Sequence, residues 1–310
     1  MAFADIIGQE GAVRILLGTV RKDRIPTAFL LSGDSGIGKR LAALNYAKAV
    51  NCVQSVQGDC CDRCQSCRKI DAGIHPDVTV IAPENNEIKI EAVRSVIDVL
   101  SLKAFEGKRK VVVIEDADAM NPNAANAFLK TLEEPPPGSL ILLTSSRPDM
   151  LPATIGSRCV QVRFRPLSRE ECKEILRSTF GEAGGDDVLG LVMGRPGLAA
   201  SGDVAKKRVW FMRLLDQMLR SESREGWADR TEMRSWLDMC TILLRDLAVY
   251  TITQRGADLL LGRAFKSADL ATVLETYRQV ERVKGLVDVN LNKLITWNYL
   301  AASMRRCIRQ

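Results

Sequence analysis

The chain has 310 residues, enough for about two or three domains, and its 46% hydrophobic and 26% charged residues are ordinary for a globular protein with a real core. No apolar run approaches the roughly 18 residues that span a bilayer, and the opening MAFADIIGQE lacks the basic-then-apolar order of a signal peptide, which indicates a cytoplasmic protein. The formal net charge of +6 permits contact with DNA or acidic proteins, but the 5% aromatic content and the lack of a dense Lys/Arg block argue against a dedicated nucleic-acid binder.

Short apolar runs alternate with helix-like stretches up to about residue 165. The runs predict buried parallel strands at Ala28–Leu31, Val78–Ile81, Lys110–Ile114 and Leu140–Thr144. Helices are predicted over Arg40–Val50, Ile90–Leu100 and Asn123–Leu132. This alternation predicts an α/β domain with a doubly wound sheet, whose ligands bind at the carboxyl ends of the strands.

A glycine-rich loop follows the first predicted strand and precedes the first predicted helix. It reads Gly33-Asp34-Ser35-Gly36-Ile37-Gly38-Lys39, with the spacing and context of a phosphate-binding loop. The glycines Gly33, Gly36 and Gly38 let backbone N–H groups turn inward toward phosphate oxygens. Lys39 would reach the β- and γ-phosphates, and the helix N-terminus adds a positive dipole end.

Two features depart from a working ATPase. The residue after Lys39 should be Ser or Thr, whose hydroxyl binds Mg²⁺, but here it is Arg40, whose guanidinium cannot ligate a cation. The third predicted strand ends in Glu115-Asp116, the reverse of the usual order of a metal-binding Asp and a water-orienting Glu. The sequence therefore predicts that ATPase activity is lost or weakened, and it gives no firm basis for the binding of ATP and Mg²⁺. The alternative interpretation of Glu115 and Asp116 is that they are solvated residues at the end of a strand.

Five of the nine cysteines lie within residues 52 to 67. In a reducing compartment such a cluster favours a metal over disulfides. A C-x8-C-x2-C-x2-C spacing suits a closed, structural Zn²⁺ site with the ligands Cys52, Cys61, Cys64 and Cys67. The alternative is a set of free or redox-active thiols. Cys61 is preferred to Cys60 because it completes the regular C-x2-C-x2-C step, and the single histidine, His75, is expected to have a capping or core role.

The strand signals stop at Pro166. Ser168 with Glu171 three residues later is a capping-box pattern that opens a small helical unit, which closes around Gly194-Arg195-Pro196-Gly197. The remainder is predicted to be helical throughout, with helical spacing at Leu237, Cys240, Leu244 and Leu247 and at Leu291, Leu294 and Trp297 or Asn298. The predicted domains are an α/β domain at 1–166, with a zinc module at about 50–75, a helical lid at 167–202 and a helical domain at 203–310.

Several motifs together resemble the clamp-loader branch of the AAA+ superfamily. They are Gly8-Gln9, the phosphate loop, the four-cysteine insert, His75-Pro76-Asp77, the stretch NAFLKTLEEPP at 126–136, and Ser157-Arg158-Cys159 preceded by Leu151-Pro152. The resemblance covers residues 1 to about 200 strongly. It implies an AAA+ P-loop fold with a zinc insert, a small helical lid, and a C-terminal helical collar that joins a hetero-oligomer.

Within this branch the chain resembles delta-prime-type subunits of bacterial DNA polymerase III, because Gly36–Arg40 follows their G-x-G-K-R pattern. Leu198 also occupies the position where the lid of the family carries an arginine, with Arg195 shifted from that place. The resemblance implies a stator that assembles with gamma/tau motor subunits and a delta subunit in a hetero-pentamer, which loads the sliding clamp on primed DNA.

In such a complex Arg158 would be an arginine finger that acts in trans on the neighbouring ATP site; the alternative is a surface or salt-bridged arginine. A gamma/tau-like motor that hydrolyses ATP itself is the alternative function. No polymerase active site is expected in either case, and the chain would be an accessory subunit of the polymerase holoenzyme.

Overall fold

The computed structural model describes residues 2–181, 189, 192, 194–200, 204–220, 227–253, 266–267, 269–287 and 291–309. The chain divides into two compact units, each with buried hydrophobic residues of its own. Unit 1 is Met1–Ser178 with Met193–Leu198, and unit 2 is Thr179–Val192 with Ala199–Gln310. The predicted domain boundaries after residues 166 and 202 stay a prediction.

Unit 1 is built on a five-stranded sheet in the order β2-β3-β4-β1-β5. The strands are β1 (Ala28–Ser32), β2 (Val78–Ile81), β3 (Lys110–Ile114), β4 (Ser139–Ser145) and β5 (Val160–Arg163). Every pairing is parallel. The four predicted strands are confirmed to within about one residue at each end. The edge strand β5 escapes the prediction because only Val162 of its four residues is buried.

Helices connect these strands. They are α1 (Glu10–Arg21), α2 (Lys39–Asn51), α3 (Gln65–Asp71), α4 (Ile90–Ser101), α5 (Pro122–Glu133), α6 (Ala153–Gly156) and α7 (Arg169–Phe180). The helix α5 begins where the Asn121 side chain accepts a hydrogen bond from Ala124 N–H (2.8 Å), a normal N-cap. The predicted capping box of α7 is confirmed, since Ser168 N–H donates to Glu171 (2.6 Å) and Glu171 N–H donates to Ser168 Oγ (3.2 Å).

The strands β1, β3 and β4 are buried along their whole length, as parallel strands covered on both faces must be. One face packs against α4 and α5, where Val96, Phe128 and Leu132 share a core with Val112 and Ile114. Since β3, β4 and β1 are adjacent, the residues that follow them lie along one edge of the sheet, where ligands of such folds bind.

Unit 2 is mainly helical. The short helix α8 (Gly197–Ala200) begins in unit 1 and ends in unit 2, which also contains α9 (Val204–Leu219), α10 (Arg230–Thr253), α11 (Leu270–Gly285) and α12 (Lys293–Cys307). The predicted apolar face of α10 is confirmed, because all four of its residues are buried: Leu237, Cys240, Leu244 and Leu247. Four aromatic side chains pack in this core with ring centroids 5.1 to 6.0 Å apart: Phe211, Trp227, Trp236 and Trp297.

The prediction that this region is helical throughout is wrong in one detail. Two short strands, β6 (Lys266–Ser267) and β7 (Ile308–Arg309), pair antiparallel, and two-residue strands carry too few positions for a recognisable period. The helical spacing predicted near residue 294 is confirmed by α12, which buries Trp297, Leu300 and Met304, although Leu294 is 56% exposed. Among the described helices, none is long and apolar enough to cross a bilayer.

Candidate nucleotide site and metal centre

The glycine-rich loop lies between β1 and α2, where Gly33 N–H donates to the Ser145 carbonyl at the end of β4 (3.2 Å). Gly36 has a φ of +81° and Gly38 a φ of +99°, which glycine adopts without strain. A Cβ on Gly36 would also lie 3.0 Å from the backbone nitrogen of Leu198. The loop therefore has the tight backbone of a phosphate cradle.

The segment that follows Gly194 lies directly against this loop. Gly197 N–H donates to the Gly36 carbonyl (2.8 Å), and a Cβ on Gly197 would lie 2.9 Å from the same oxygen. The next residue, Leu198, is beside Gly36 and contributes an apolar side chain. An arginine at this position would have brought positive charge to bound phosphates, whereas leucine brings none.

Lys39 is bonded to its own loop. Its Nζ donates to the carbonyls of Gly33 (2.5 Å) and Asp34 (2.7 Å), and the residue is only 6% exposed. Burial lowers the pKa of Lys39, and the charges of Asp116, Asp118 and Asp34 offset part of that effect. Two of the three N–H donors of the lysine that would contact phosphates are engaged by backbone carbonyls.

Arg40 and Glu115 form an ion pair, in which the Arg40 Nε donates to Glu115 Oε1. The Arg40 side chain is 65% exposed and the Glu115 side chain 16%. In a working nucleotide site these two positions, one after the phosphate-loop lysine and one at the end of β3, would supply the Mg²⁺ ligands. A guanidinium has donors only, so Arg40 places a positive charge beside the acid instead of a metal ligand.

Further polar residues gather at the same edge of the sheet. Asp116 has a left-handed φ of +44°, and its N–H donates to Thr144 Oγ1 at the end of β4 (3.0 Å). Asp118 accepts from Ser145 Oγ (2.7 Å) and Arg147 Nε (3.1 Å). Burial alone would raise the pKa of Asp118, but these hydrogen bonds lower it overall. Asp118 therefore stays ionised and adds a third acid to this edge.

The four predicted zinc ligands come together. Their sulfur atoms lie within 4.8 Å of one another, and Zn–S bonds of about 2.3 Å in a tetrahedron require sulfurs roughly 3.8 Å apart. The chain supplies them from the C-cap of α2, the following loop, and the N-cap and first turn of α3, as Cys52, Cys61, Cys64 and Cys67. The four thiol groups fit a closed zinc site with no position left for water or substrate.

Backbone N–H groups point at these sulfurs, as in sites that hold thiolates. Cys64 N–H donates to Cys61 Sγ (3.3 Å) and Gln54 N–H donates to Cys52 Sγ (3.4 Å). Burial alone would raise the pKa of Cys64, but N–H groups including those of Cys67 and Val53 lower it to about 6. Since metals bind the thiolate form, the lowered pKa of Cys64 favours metal binding, whereas burial raises the pKa of Cys52 and of Cys67, whose thiolates a metal ion would itself have to stabilise.

Cys60 lies apart from the four sulfurs. Its Sγ donates to Asp62 (3.4 Å), and burial raises the pKa of Cys60 to about 12, so it is a protonated thiol. Asp62 also pairs with Lys48 (2.6 Å), whose side chain is 1% exposed, and Asp71 pairs with Lys48 at 3.0 Å. The buried lysine thus joins α2 to the cysteine segment.

Residues around the cysteine segment tie it to the rest of unit 1. The Asp59 carboxylate accepts from the N–H groups of Phe3 (3.1 Å) and Ala4 (3.2 Å). Lys108 Nζ donates to the Cys52 carbonyl (2.9 Å). We refer to residues 52–67, with these contacts, as the cysteine module.

His75 is not one of the candidate metal ligands that come together here, as predicted. Its Nδ1 accepts from Asp77 N–H (3.1 Å), and its Nε2 lies 3.1 Å from Ser66 Oγ. Asp77 is fully buried and accepts from the N–H groups of the 105–107 loop, at 2.7 to 2.8 Å, and from Lys110 Nζ at 3.0 Å. Burial opposes ionisation, but these bonds hold the pKa of Asp77 well below its usual range. His75 and Asp77 therefore have structural roles.

Arg158 follows α6, just before the edge strand β5. Its Nη2 is 2.6 Å from Glu133 Oε1 at the end of α5, and its Nη1 donates to the Thr154 carbonyl (2.9 Å). The Arg158 side chain is 34% exposed. The guanidinium is therefore at the surface, held by α5 and α6.

Residues 8–168, more than half of the chain, match the family described as DNA polymerase III, delta subunit. The chain belongs to this family. Over 136 residues it is 45% identical to the delta' subunit of Pseudomonas aeruginosa, a match that covers 43% of this chain and 42% of that protein. Over 180 residues it is 34% identical to the tau subunit of Escherichia coli, with 58% and 28% covered. The chain thus spans less than half the length of either relative.

A solved structure extends the likeness beyond this segment. The gamma subunit-related protein of Thermotoga maritima has a TM-score of 0.50 and 23% identity, and the alignment covers 94% of this chain and 99% of that protein. At this identity the match shows the fold alone. The chain has the parallel sheet and the helical C-terminal part that its sequence predicts.

Sequence reasoning missed three residues of the nucleotide-site edge: Asp118, Thr144 and Gln9. Gln9 is 3% exposed, and its side chain bonds to Arg165 N–H and carbonyl (3.2 and 2.7 Å) and to the Ile37 carbonyl (3.3 Å). Its only sequence signal was membership of the Gly8-Gln9 motif. Thr144 lies at the end of β4 and Asp118 follows β3, so the strand ends alone could have indicated them.

Proposed function

We propose that the chain is a stator-type, delta-prime-like subunit of the DNA polymerase III clamp loader, with little or no ATPase of its own. It assembles with gamma/tau motor subunits and a delta subunit in a hetero-pentamer that loads the sliding clamp on primed DNA. The observation that carries this proposal is the Arg40–Glu115 ion pair at the edge of the phosphate loop.

The positive charge of Arg40 opposes a metal ion more than its bond to Glu115 does. An ion pair with a largely exposed arginine contributes at most about 1 kcal/mol, so it would not by itself exclude a metal. Mg²⁺, however, needs oxygen ligands at about 2.1 Å, and the Arg40 position supplies a like charge in place of a hydroxyl. Lys39 bonded to its own loop and Leu198 beside Gly36 weaken phosphate binding in the same direction.

Arg158 is the residue that we propose acts on the neighbouring subunit. It lies on the surface after α6, where a partner's nucleotide could reach it, and its planar fork suits phosphate oxygens. There it would stabilise charge on the γ-phosphoryl oxygens as the neighbour's water attacks the phosphorus. Arginine fingers are worth roughly 10³–10⁵ in rate in well-studied GTPases.

The helical unit is the proposed collar. The helix α12 leaves Ile295 68% and Tyr299 46% exposed, one turn apart on the same face. Exposed apolar side chains at helical spacing suit packing against a helix of another subunit. We also propose that the cysteine module binds a structural Zn²⁺, which would cross-link α2 and α3 and take no part in ATP chemistry.

A gamma/tau-like motor is the second candidate. The identity to the Escherichia coli tau subunit over 180 residues and the presence of Lys39 with Glu115 or Asp116 favour it. The two functions differ in one measurement, the ATPase rate of the purified chain alone. A stator has negligible turnover and raises the rate of a complex; a rate near that of typical motor subunits would establish the motor instead.

The trans-acting arginine is tested in the assembled complex with clamp and primed DNA. Arg158→Ala should leave assembly intact by pull-down and lower the total ATPase rate partially, because the other sites keep their own arginines. Arg158→Lys should recover little, since an ammonium lacks the planar fork. Arg163→Ala, an exposed arginine on β5, is the matched control. An unchanged rate in an assembled Arg158→Ala complex would make this arginine structural.

A further inference from the structure

The carboxylate of Glu133 occupies the part of Arg158 that a phosphate would need. Glu133 Oε1 is 2.6 Å from Arg158 Nη2, while Nη1 donates to the Thr154 carbonyl at 2.9 Å and lies 3.5 Å from Ser157 Oγ. Arginine binds phosphate through the same terminal nitrogens, usually two at a time. A neighbour's phosphate and Glu133 therefore compete for one fork.

Both ends of this pair are held by the core. Glu133 is the last residue of α5, whose Phe128 and Leu132 are buried under the sheet. Arg158 N–H donates to the carbonyl of Ile155, which is fully buried. The pair is therefore preformed by the fold of unit 1, and its formation needs no rearrangement of the backbone.

The surroundings of the guanidinium are negative beyond the one carboxylate. The Thr154 carbonyl and the C-terminal end of α5, where the partial charge of a helix is negative, both face this region. The pair is also partly solvated, with side chains 34% and 48% exposed, and such pairs shift an equilibrium by no more than about fivefold. An ion pair of this strength holds the Arg158 side chain in place, and a phosphate can still displace the Glu133 carboxylate from it.

We infer that Glu133 is a positioning residue, which holds Arg158 in a charge-neutralised pair until the nucleotide phosphate of a neighbouring subunit displaces the carboxylate. This inference rests on the proposed trans-acting role of Arg158. It assigns Glu133 a function at the subunit boundary: it sets how readily Arg158 is transferred to the neighbour's nucleotide, and so the ATP concentration at which that site becomes active.

The first test is the ATP dependence of the assembled complex. Glu133→Gln keeps the size of the side chain and removes its charge, so the ATP concentration at half-maximal rate should fall by about two- to fivefold with no loss of maximal rate. Glu134→Gln removes the same charge one residue away and should change neither. In an Arg158→Ala background, Glu133→Gln should have no further effect.

Three outcomes would overturn the inference. One is that Glu133→Gln leaves the ATP concentration at half-maximal rate unchanged. Another is that Glu133→Gln still lowers this concentration in the Arg158→Ala background. The third is a lower maximal rate at the same half-saturation, which would mean that Glu133 supports the engaged arginine.

A second measurement separates this inference from the proposed function. In the full chain labelled with ¹⁵N-arginine, the Arg158 side-chain signals, assigned with Arg158→Lys, should change in Glu133→Gln and not in Glu134→Gln. Adding the motor subunit with a non-hydrolysable ATP analogue should abolish that difference, because the phosphate has replaced the carboxylate. If the difference persists while Arg158→Ala still lowers the ATPase rate of the complex, the proposed replacement of Glu133 by phosphate is wrong, and the proposed trans-acting role of Arg158 is retained. If Arg158→Ala has no effect on that rate, the proposed function itself fails.

Discussion

The two ends of α2 carry two candidate sites that differ in how complete they are. At its N-terminal end the phosphate loop keeps its glycines and its lysine, but Lys39 bonds to the loop and Arg40 pairs with Glu115. At its C-terminal end Cys52 begins a set of four sulfurs that lie within 4.8 Å of one another. Glycines shape the backbone of a phosphate loop whether or not the neighbouring side chains can bind Mg²⁺, whereas a metal site needs every ligand. Glycine spacing alone therefore does not establish nucleotide chemistry, while four sulfurs close together are what a metal site requires.

The largest effect is expected in the cysteine module. Cys61→Ser should remove about one zinc ion per chain and unfold the module, because structural zinc contributes roughly 10–16 kcal/mol in zinc-finger peptides. Cys60→Ser should retain the metal, since the Cys60 thiol bonds to Asp62 outside the sulfur cluster. Elemental analysis and thermal unfolding of the two variants decide between these neighbouring cysteines, and the reverse pattern would exchange their roles.

The module also shows why part of the site could be predicted from sequence. Its four candidate ligands lie within 16 consecutive positions, 52 to 67, so their spacing in the sequence largely determines how close their sulfurs lie in the structure. The buried strands could be predicted for a similar reason, because each is a local apolar run. The pairs Arg40–Glu115 and Glu133–Arg158 join residues 75 and 25 positions apart, and only tertiary packing brings them together. The hydrogen bonds from Lys39 to its own loop could not be predicted either, because the sequence does not show in which direction a side chain points. The strand β5, with three of its four residues exposed, lacked the burial that makes a strand recognisable.

A smaller effect should follow from a buried carboxylate beside the module. Asp77 holds the 105–107 loop and pairs with the buried Lys110, and Lys108 of the same segment reaches the Cys52 carbonyl. Asp77→Asn should destabilise the chain by about 3 kcal/mol at neutral pH, because Lys110 is left buried without its counter-charge. Urea unfolding measures this loss, with Asp98→Asn on the exposed face of α4 as the control.

The same residue gives a pH dependence. The pKa of Asp77 is lowered in the folded chain, so its contribution to stability is fully present above its unfolded pKa of about 3.9 and is lost as pH falls below that value. The free energy of unfolding of Asp77→Asn should therefore fall less steeply with acid than that of the unmodified chain. Parallel curves for the two proteins would show that the pKa of Asp77 is not lowered when the chain folds.

The smallest effect is expected at the phosphate loop. Arg40→Thr frees Glu115 and restores a hydroxyl where Mg²⁺ needs an oxygen ligand, so Mg-ATP affinity should rise by about tenfold, which corresponds to about 1.4 kcal/mol. Arg40→Lys keeps the positive charge and should give no gain. Turnover should stay negligible in both variants, because the order of Glu115 and Asp116 and the leucine at 198 are unchanged. Calorimetric titration with Mg-ATP gives the affinity, and phosphate release gives the rate. Hydrolysis in Arg40→Thr at the rate of a motor subunit would mean that a single residue separates this loop from a working one, and the contrast between the two ends of α2 would then be one of degree.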